Sequence, residues 1–409
     1  MALKEGRSKA RWNIFRDAEM EFQFMRSMAV MSEEGAEIGE CLNVKINAKD
    51  GGMKRLSEAW SKTAFSVESD GIQQQESNNM RSAQSSYLRA SNYYRSAMTC
   101  LSPRDKMHFE NWKKTKECFE KAGALFENPF EHVQIPFENG YLPCYFLQPS
   151  NIEVERPTMI VVTGGEGTAM EMYFWCAREG LRRGYNIFLC ELPGNISTLY
   201  VSPSLTLRAD TEIPMNNVLN YLEKNRSVDN EKIAIIGYSA GGYFAARAAA
   251  FDKRIKALIP NSPLRDMYGM FTAVFPKMLL ARRSSSFLEY IIQHFANESI
   301  KASIELVLWE SGIDGFLDFV ELTKQASLID VEKDISCPTL ALSGEGEGEV
   351  FLEQARLFFE NISSTKKELK VFTKETGASA HCQIDNLTVA RNTVYDWLDT
   401  LFQQDLSPV

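Results

Sequence analysis

Residues 231–250 read Glu-Lys-Ile-Ala-Ile-Ile-Gly-Tyr-Ser-Ala-Gly-Gly-Tyr-Phe-Ala-Ala-Arg-Ala-Ala-Ala. The apolar run at 232–236 predicts a buried strand, and the alanine-rich stretch after it predicts a helix that can pack closely on a sheet. Between them lies Gly237-Tyr238-Ser239-Ala240-Gly241, of the form G-x-S-x-G. Such a segment turns a strand sharply into a helix and holds the serine in a strained conformation with Oγ exposed. Glycine two positions before and two after leaves room for close backbone approach. The pentapeptide alone is weak evidence, since average glycine and serine usage produces it in roughly one chain in ten of this length. The strand before it and the helix after it make Ser239 the candidate nucleophile.

A serine hydroxyl needs a base. On sheets that carry this elbow the chain order is serine, then acid, then histidine. Of the four histidines (108, 132, 294 and 381), only His294 and His381 follow Ser239. His294 lies among apolar residues, which favours a structural role. His381 follows an apolar run at 369–372 and the small-residue segment Thr376-Gly-Ala-Ser-Ala, and it precedes a helical pattern with Leu387, Ala390, Val394, Leu398 and Leu401 on one face. His381 is therefore the expected base. The acid is expected after the strand at 339–342, in Ser343-Gly-Glu-Gly-Glu-Gly-Glu349. Glu345, Glu347 and Glu349 compete there. An acid three residues past the strand-terminal glycine favours Glu347, with Asp266 a weaker alternative after the preceding strand. Acyl chemistry also needs two amides for the oxyanion. Ala240 supplies one. The Gly-rich loop Thr163-Gly164-Gly165-Glu166-Gly167-Thr168 should supply the other, with the Glu166 amide as candidate. That loop lacks G-x-G-x-x-G and a following Lys-Ser/Thr, so a phosphate cradle is a poor reading.

Outward from these motifs the chain alternates strand and helix. Val133, Ile135 and Phe137 alternate, as do Leu142, Cys144 and Phe146, and Asn139-Gly140 between them predicts a type I′ hairpin. Compact apolar runs follow at 158–162, 186–190, 232–236, 257–260, 339–342 and 369–372, as a parallel sheet covered on both faces requires. A leading hairpin followed by β-α repeats is the order of an α/β-hydrolase sheet, with the core at 129–409. Residues 263–330 are too long for a plain connection and carry many large apolar groups, which predicts a helical lid over the strand ends. Before residue 128 the pattern is helical: Phe15, Phe22, Met25 and Met28, then 56–66, 80–101 and 105–126. The Gln/Ser/Asn-rich stretch at 73–79 is expected to be a loop. A helical N-terminal domain is thus expected over 1–128.

The 409 residues allow two units. Composition is that of a globular protein, 44% hydrophobic and 24% charged, with a net charge of −9 that disfavours nucleic acid or an anionic membrane as partner. No apolar run approaches a transmembrane span, and the charged first sixteen residues do not read as a signal peptide, so none is expected. The eight cysteines show neither C-x-x-C pairing nor zinc spacing, so buried reduced thiols, a cytoplasmic setting and no metal are expected.

The Gly-Gly loop at 164–165, the Glu191-Leu-Pro-Gly194 turn, the elbow at 237–241 and His381-Cys382-Gln383 resemble a branch of the dienelactone-hydrolase-like proteins. This branch includes 2,6-dihydroxypseudooxynicotine hydrolase and fungal hydrolases that shorten polyketide chains. The resemblance covers about residues 128–404, and those proteins also carry a helical segment ahead of the core. It implies cleavage of a C–C bond beside a ketone, or of an ester, with no cofactor. It also implies that Ser239 attacks and His381 acts as base. Two departures stand out: the first loop reads Gly-Gly-Glu-Gly where the branch has Gly-Gly-Leu-Asp, and the acid is Glu rather than Asp. The expected substrate is a small-molecule acyl or polyketide compound of secondary metabolism, contacted by Gly165, Tyr238, Met267, Phe271 and Trp309. An acyltransferase using the same intermediate, an inactive binding protein and a peptidase are the rival readings. The N-terminal helices could form a homodimer interface as readily as close one side of the site.

Overall fold

Ile233 and Ile235 face one hydrophobic core, and their neighbours Ala234 and Ile236 face another on the opposite side of the sheet. Met159 and Val161 alternate with Ile160 and Val162 in the same way, as do Ile187 and Leu189 with Phe188 and Cys190. Both faces are covered, which is why these strands read as unbroken apolar runs. The computed structural model describes residues 9–274 and 298–403. Its eight strands are β1 (Phe130–Phe137), β2 (Gly140–Leu147), β3 (Arg156–Val162), β4 (Asn186–Cys190), β5 (Val228–Tyr238), β6 (Ala257–Asn261), β7 (Thr339–Gly344) and β8 (Lys367–Phe372). They form one sheet in the order β1-β2-β4-β3-β5-β6-β7-β8. β2 runs antiparallel to β1 and β4, and all other pairs are parallel. This is the α/β-hydrolase fold. The hairpin turn falls one residue earlier than expected. Phe137 pairs with Gly140, so Glu138 and Asn139 are the central residues, and Glu138 takes the positive φ of 47°. Glycine is required at 140 because a Cβ there would sit 2.5 Å from the Ser202 hydroxyl.

Five helices precede the sheet: α1 (Ala18–Met28), α2 (Ile38–Ala48), α3 (Gly52–Glu76), α4 (Met80–Met98) and α5 (Lys106–Gly123). Trp60 on α3 is fully buried, stacked on Tyr93 at 5.2 Å and tilted against Phe24 at 5.7 Å. The expected loop at 73–79 is helical as far as Glu76. Glutamine is a good helix former, and the Gln74 and Gln75 side chains accept hydrogen bonds from Ser86 and Tyr87 across the α3–α4 hairpin. Trp60, Tyr93 and Phe119 belong to the same continuous core as Met159, Val161 and Ile187 of the sheet. The N-terminal helices therefore pack on one sheet face rather than around a separate core.

The insertion at 263–330 contains α11 (Met267–Val274), α12 (Glu298–Ser311) and α13 (Phe316–Leu322), preceded in the core by α6 (Ala169–Met172), α7 (Arg178–Arg182), α8 (Ile196–Val201), α9 (Glu212–Leu222) and α10 (Ala240–Phe251). Phe275, Met278, Phe287, Tyr290 and His294 lie outside the described residues. Two helices close the core, α14 (Glu349–Asn361) after β7 and α15 (Leu387–Phe402) after β8. No described helix is long and apolar enough to cross a membrane. All eight cysteines are free thiols, seven of them buried.

Candidate active site

Ser239 sits between β5 and α10 with φ 56° and ψ −124°, a conformation that L residues avoid and that an elbow imposes on its nucleophile. The turn is too tight for a side chain at Gly237, where a Cβ would lie 1.9 Å from the Gly241 carbonyl oxygen. The Ser239 N–H donates to the Asn261 carbonyl at 2.6 Å, which ties the elbow to the end of β6.

His381 Nε2 lies 3.0 Å from Ser239 Oγ, and Nδ1 faces Glu347 Oε2 at 3.6 Å. Nδ1 has no nearer hydrogen-bond partner. Distances of this kind are common before substrate tightens a site. Glu347 is buried in a short turn after β7. Its Oε1 accepts from the amides of Gly344 at 3.2 Å and Cys382 at 3.4 Å, and the Ser262 hydroxyl donates to its Oε2. The competing carboxylates lie elsewhere. Glu345 accepts from the Lys374 amide at 2.7 Å, and exposed Glu349 pairs with Arg356 at 3.4 Å. The Asp266 backbone is held by the Gln354 side chain at the root of the insertion. Burial works against a His381 cation, but the adjoining Cys382 sulfur and the Glu347 carboxylate outweigh it and push the imidazole pKa up to about 10. Phe22 and Phe351 flank the ring at 6.5 and 5.5 Å.

Ala240 is the first residue of α10, so its N–H is among those a helix start leaves free, at the positive end of the dipole. The loop after β3 presses on the elbow. A Cβ at Gly164 would meet the Tyr238 carbonyl at 2.8 Å and Ser239 Cβ at 2.9 Å. The loop that carries the expected Glu166 amide is therefore anchored at Gly164 directly against the elbow. The Glu191 turn secures this loop from below. Its fully buried carboxylate accepts from the Ala169 amide at 2.7 Å, and from the Ser197 amide and hydroxyl at 2.8 Å each. Burial pushes its pKa up to about 7.

The expected substrate contacts are divided. Gly165 lies on the oxyanion loop, and its Cα faces the Glu310 carboxylate of α12. Trp309 beside it reaches Tyr200 at 5.1 Å and His108 at 6.0 Å, joining the insertion to α8 and α5. Phe271 packs edge-on against Phe319 within the insertion, and Met267 is partly buried against the sheet core. Tyr238 is a correction. Strand alternation places it on the same face as Ala234 and Ile236, where its ring is buried edge-on to Trp175 at 5.2 Å beneath the elbow. Among the described residues no three His, Cys, Asp or Glu side chains gather as metal ligands would.

Several site residues carry no sequence signal. Ser262 holds Glu347, and Asn261 donates to the Gln383 side chain at 2.7 Å, linking the elbow to the histidine loop. Gln383 is the exception, being part of the His381-Cys382-Gln383 signature. The N-terminal segment also reaches the site. The Lys9 amide donates to the Gly346 carbonyl at 2.7 Å, Phe22 meets His381, and Gln23 and Arg26 bind Glu166.

Fold and site together define a serine hydrolase of the α/β-hydrolase class. Over nearly its whole length the chain is similar to fungal hydrolases. Hydrolase LUC6 of Fusarium sp is 27% identical over 416 residues, covering 95% of this chain and 98% of that one. The 20-hydroxy-prefusarin hydrolase FUS2 of Gibberella moniliformis is 27% identical over 404 residues, covering 93% and 96%. Among solved structures, 2,6-dihydroxy-pseudo-oxynicotine hydrolase superposes with a TM-score of 0.72 at 20% identity, covering 93% of this chain and 98% of its own. AbyA5 superposes at 0.63 and 13% identity, covering 92% and 94%. Those likenesses bear on the fold. The profile of the Prolyl oligopeptidase family matches residues 215–286, the segment around the elbow.

Proposed function

We propose that this protein hydrolyses an ester, or a C–C bond beside a ketone, in a polyketide-like or aromatic acyl compound of secondary metabolism, through an acyl-enzyme on Ser239. The observation that carries this reading is the file Ser239–His381–Glu347, with 3.0 Å between the hydroxyl and the imidazole and the buried carboxylate behind it. His381 Nε2 takes the Ser239 proton as Oγ attacks the carbonyl carbon. The carbonyl π pair moves onto oxygen, which the Ala240 and Glu166 amides hold. Collapse of that intermediate expels an alkoxide from an ester, or an enolate from a β-diketone, and His381 returns the proton to the leaving group. Water then attacks the acyl-enzyme, with His381 again as base. Glu347 keeps the imidazole oriented and stabilises its cation.

Support for the substrate class comes from two sides. The relatives similar over the full length include one named for a fungal metabolite, 20-hydroxy-prefusarin. Phe22 and Phe351 flank His381, and the Trp309–Tyr200 pair joins the insertion to α8, an aromatic setting that suits apolar acyl substrates. The helical N-terminal unit in place of a propeller weighs against a peptidase, although the matched profile is that of a peptidase family. The reading is tested with p-nitrophenyl butyrate and a β-diketone of comparable size. Ser239→Ala is expected to cut turnover of both by about 10⁴-fold or more. Full turnover by that variant would overturn the mechanism.

A further inference from the structure

Glu166 is the residue whose amide the proposed mechanism assigns to the oxyanion hole, and its side chain is tied elsewhere. It turns outward to α1, where Gln23 Nε2 donates to its carboxylate at 2.9 Å and the Arg26 guanidinium closes on the same oxygen. A second Arg26 nitrogen approaches the Glu166 main-chain carbonyl at 3.5 Å. Arg26 is itself fixed. Its Nε donates to Glu171 at 2.6 Å, and Glu171 also pairs with Arg95 of α4 at 3.3 Å. Arg26, Arg95 and Glu171 are buried, while the Glu166 side chain is about one-eighth exposed. Among the described contacts, two guanidinium groups thus face two carboxylates, the kind of pairing that buried charges require.

A network of this kind is costly to maintain for packing alone, since an apolar contact of equal volume would serve as well. It joins α1 to the one loop whose backbone must stay fixed while charge develops on the substrate oxygen. Oxyanion donors act through pre-organised position, and a displacement of about an ångström has large consequences. The departure from Gly-Gly-Leu-Asp to Gly-Gly-Glu-Gly falls at this position, so the glutamate that looked anomalous in sequence has a partner in space.

We propose that Arg26, with Gln23, is a positioning residue for the hydrolytic reaction: it clamps Glu166 so that the amide of that residue points into the oxyanion hole, which makes the N-terminal helical unit a working part of the active site. The inference rests on the serine mechanism proposed above. The clamp touches no substrate atom. Its loss should therefore spare substrate binding and reduce transition-state stabilisation.

The test uses the full-length chain with p-nitrophenyl butyrate as substrate and a trifluoromethyl ketone as oxyanion-forming inhibitor. Arg26→Met and, independently, Glu166→Ala are compared with wild type. Glu166→Ala leaves the residue-166 amide in the chain, removes only its anchor, and sits at a partly exposed position, so it serves if Arg26→Met does not fold. Each variant is expected to lose roughly 10- to 100-fold in kcat with KM changed less than about threefold, and to bind the inhibitor weaker by the same factor, a part of the about 10²–10³-fold lost when one oxyanion donor is removed. Arg26→Lys, which keeps the charge, is expected to recover part of kcat. Wild-type kcat and inhibitor affinity in a folded Glu166→Ala protein would overturn the clamp. So would a loss confined to KM or to melting temperature. Ser239→Ala is run alongside. If it retains turnover, the serine mechanism fails. If it is inactive while Glu166→Ala is normal, the clamp alone fails.

Discussion

Glu347 and His381 set the pH behaviour expected of the enzyme. The His381 pKa lies above the ordinary value of about 6.5 because the Cys382 sulfur and the Glu347 carboxylate together favour its cation more than burial penalises it. The base must be neutral to accept the Ser239 proton. Hence kcat/KM should rise with pH through a midpoint above 6.5 and be lost as pH falls through it. In Glu347→Gln that midpoint should move down toward 6.5, with kcat about 10³–10⁴-fold lower, because the imidazole loses orientation and charge stabilisation together. Glu345→Gln and Glu349→Gln, whose carboxylates bond the Lys374 amide and the Arg356 side chain rather than His381, should stay within about twofold of wild type in the same pH–rate measurement. Ser239 and His381 were legible in the sequence because each is tied to a local pattern: an elbow in one case, a last strand and helix in the other. Glu347 could be preferred only by counting from a glycine. Ser262 was silent, since a lone serine after a strand says nothing about which carboxylate it will meet. Tyr238 misled because adjacency to the nucleophile suggested the pocket, whereas the two-residue period of the strand turned it into the core.

At the scale of elements, the strands were readable because both sheet faces are buried. What was not readable was register at turns. The hairpin moved by one residue when Gly140 entered the ladder, and α3 ran on through its glutamines. The Glu191 turn shows how one side chain joins elements. Its carboxylate holds the residue that opens α6 and the second residue of α8, while the Ser197 hydroxyl it binds also accepts from Trp112 of α5 at 2.9 Å. Because burial raises its pKa in the folded chain to about 7, its contribution to stability is fully present below the unfolded value near 4.5 and is lost as pH rises through 7. Wild type should therefore lose melting temperature between about pH 5 and 8 relative to Glu191→Gln, which has no such titration there. A parallel pair of melting curves would contradict this. At pH 5 the glutamine variant is expected to be within about 1–3 kcal/mol of wild type, the cost of one imperfectly replaced buried acceptor.

For the whole molecule, the N-terminal helices and the sheet share one core, from Trp60 and Tyr93 through Phe119 to Met159 and Ile187. Unfolding should accordingly be a single cooperative transition when followed by calorimetry and by tryptophan fluorescence. Trp60→Ala should lower stability by about 3–5 kcal/mol and shift that one transition rather than release a separate helical unit. Two resolved transitions would show that the helices fold on their own. Sequence could mark these helices as helical, yet not as part of the site. Arg26 and Glu166 are 140 positions apart, and no local periodicity records a contact over that separation. The central claim remains that Ser239 carries the acyl group. The most direct measurement is intact-protein and peptide mass spectrometry after reaction with a fluorophosphonate and, in rapid quench, with p-nitrophenyl butyrate. The expected result is one phosphonyl adduct and a transient butyryl adduct, both on the Ser239 peptide and both absent in Ser239→Ala. An adduct on another residue, or full turnover with no adduct at Ser239, would contradict it.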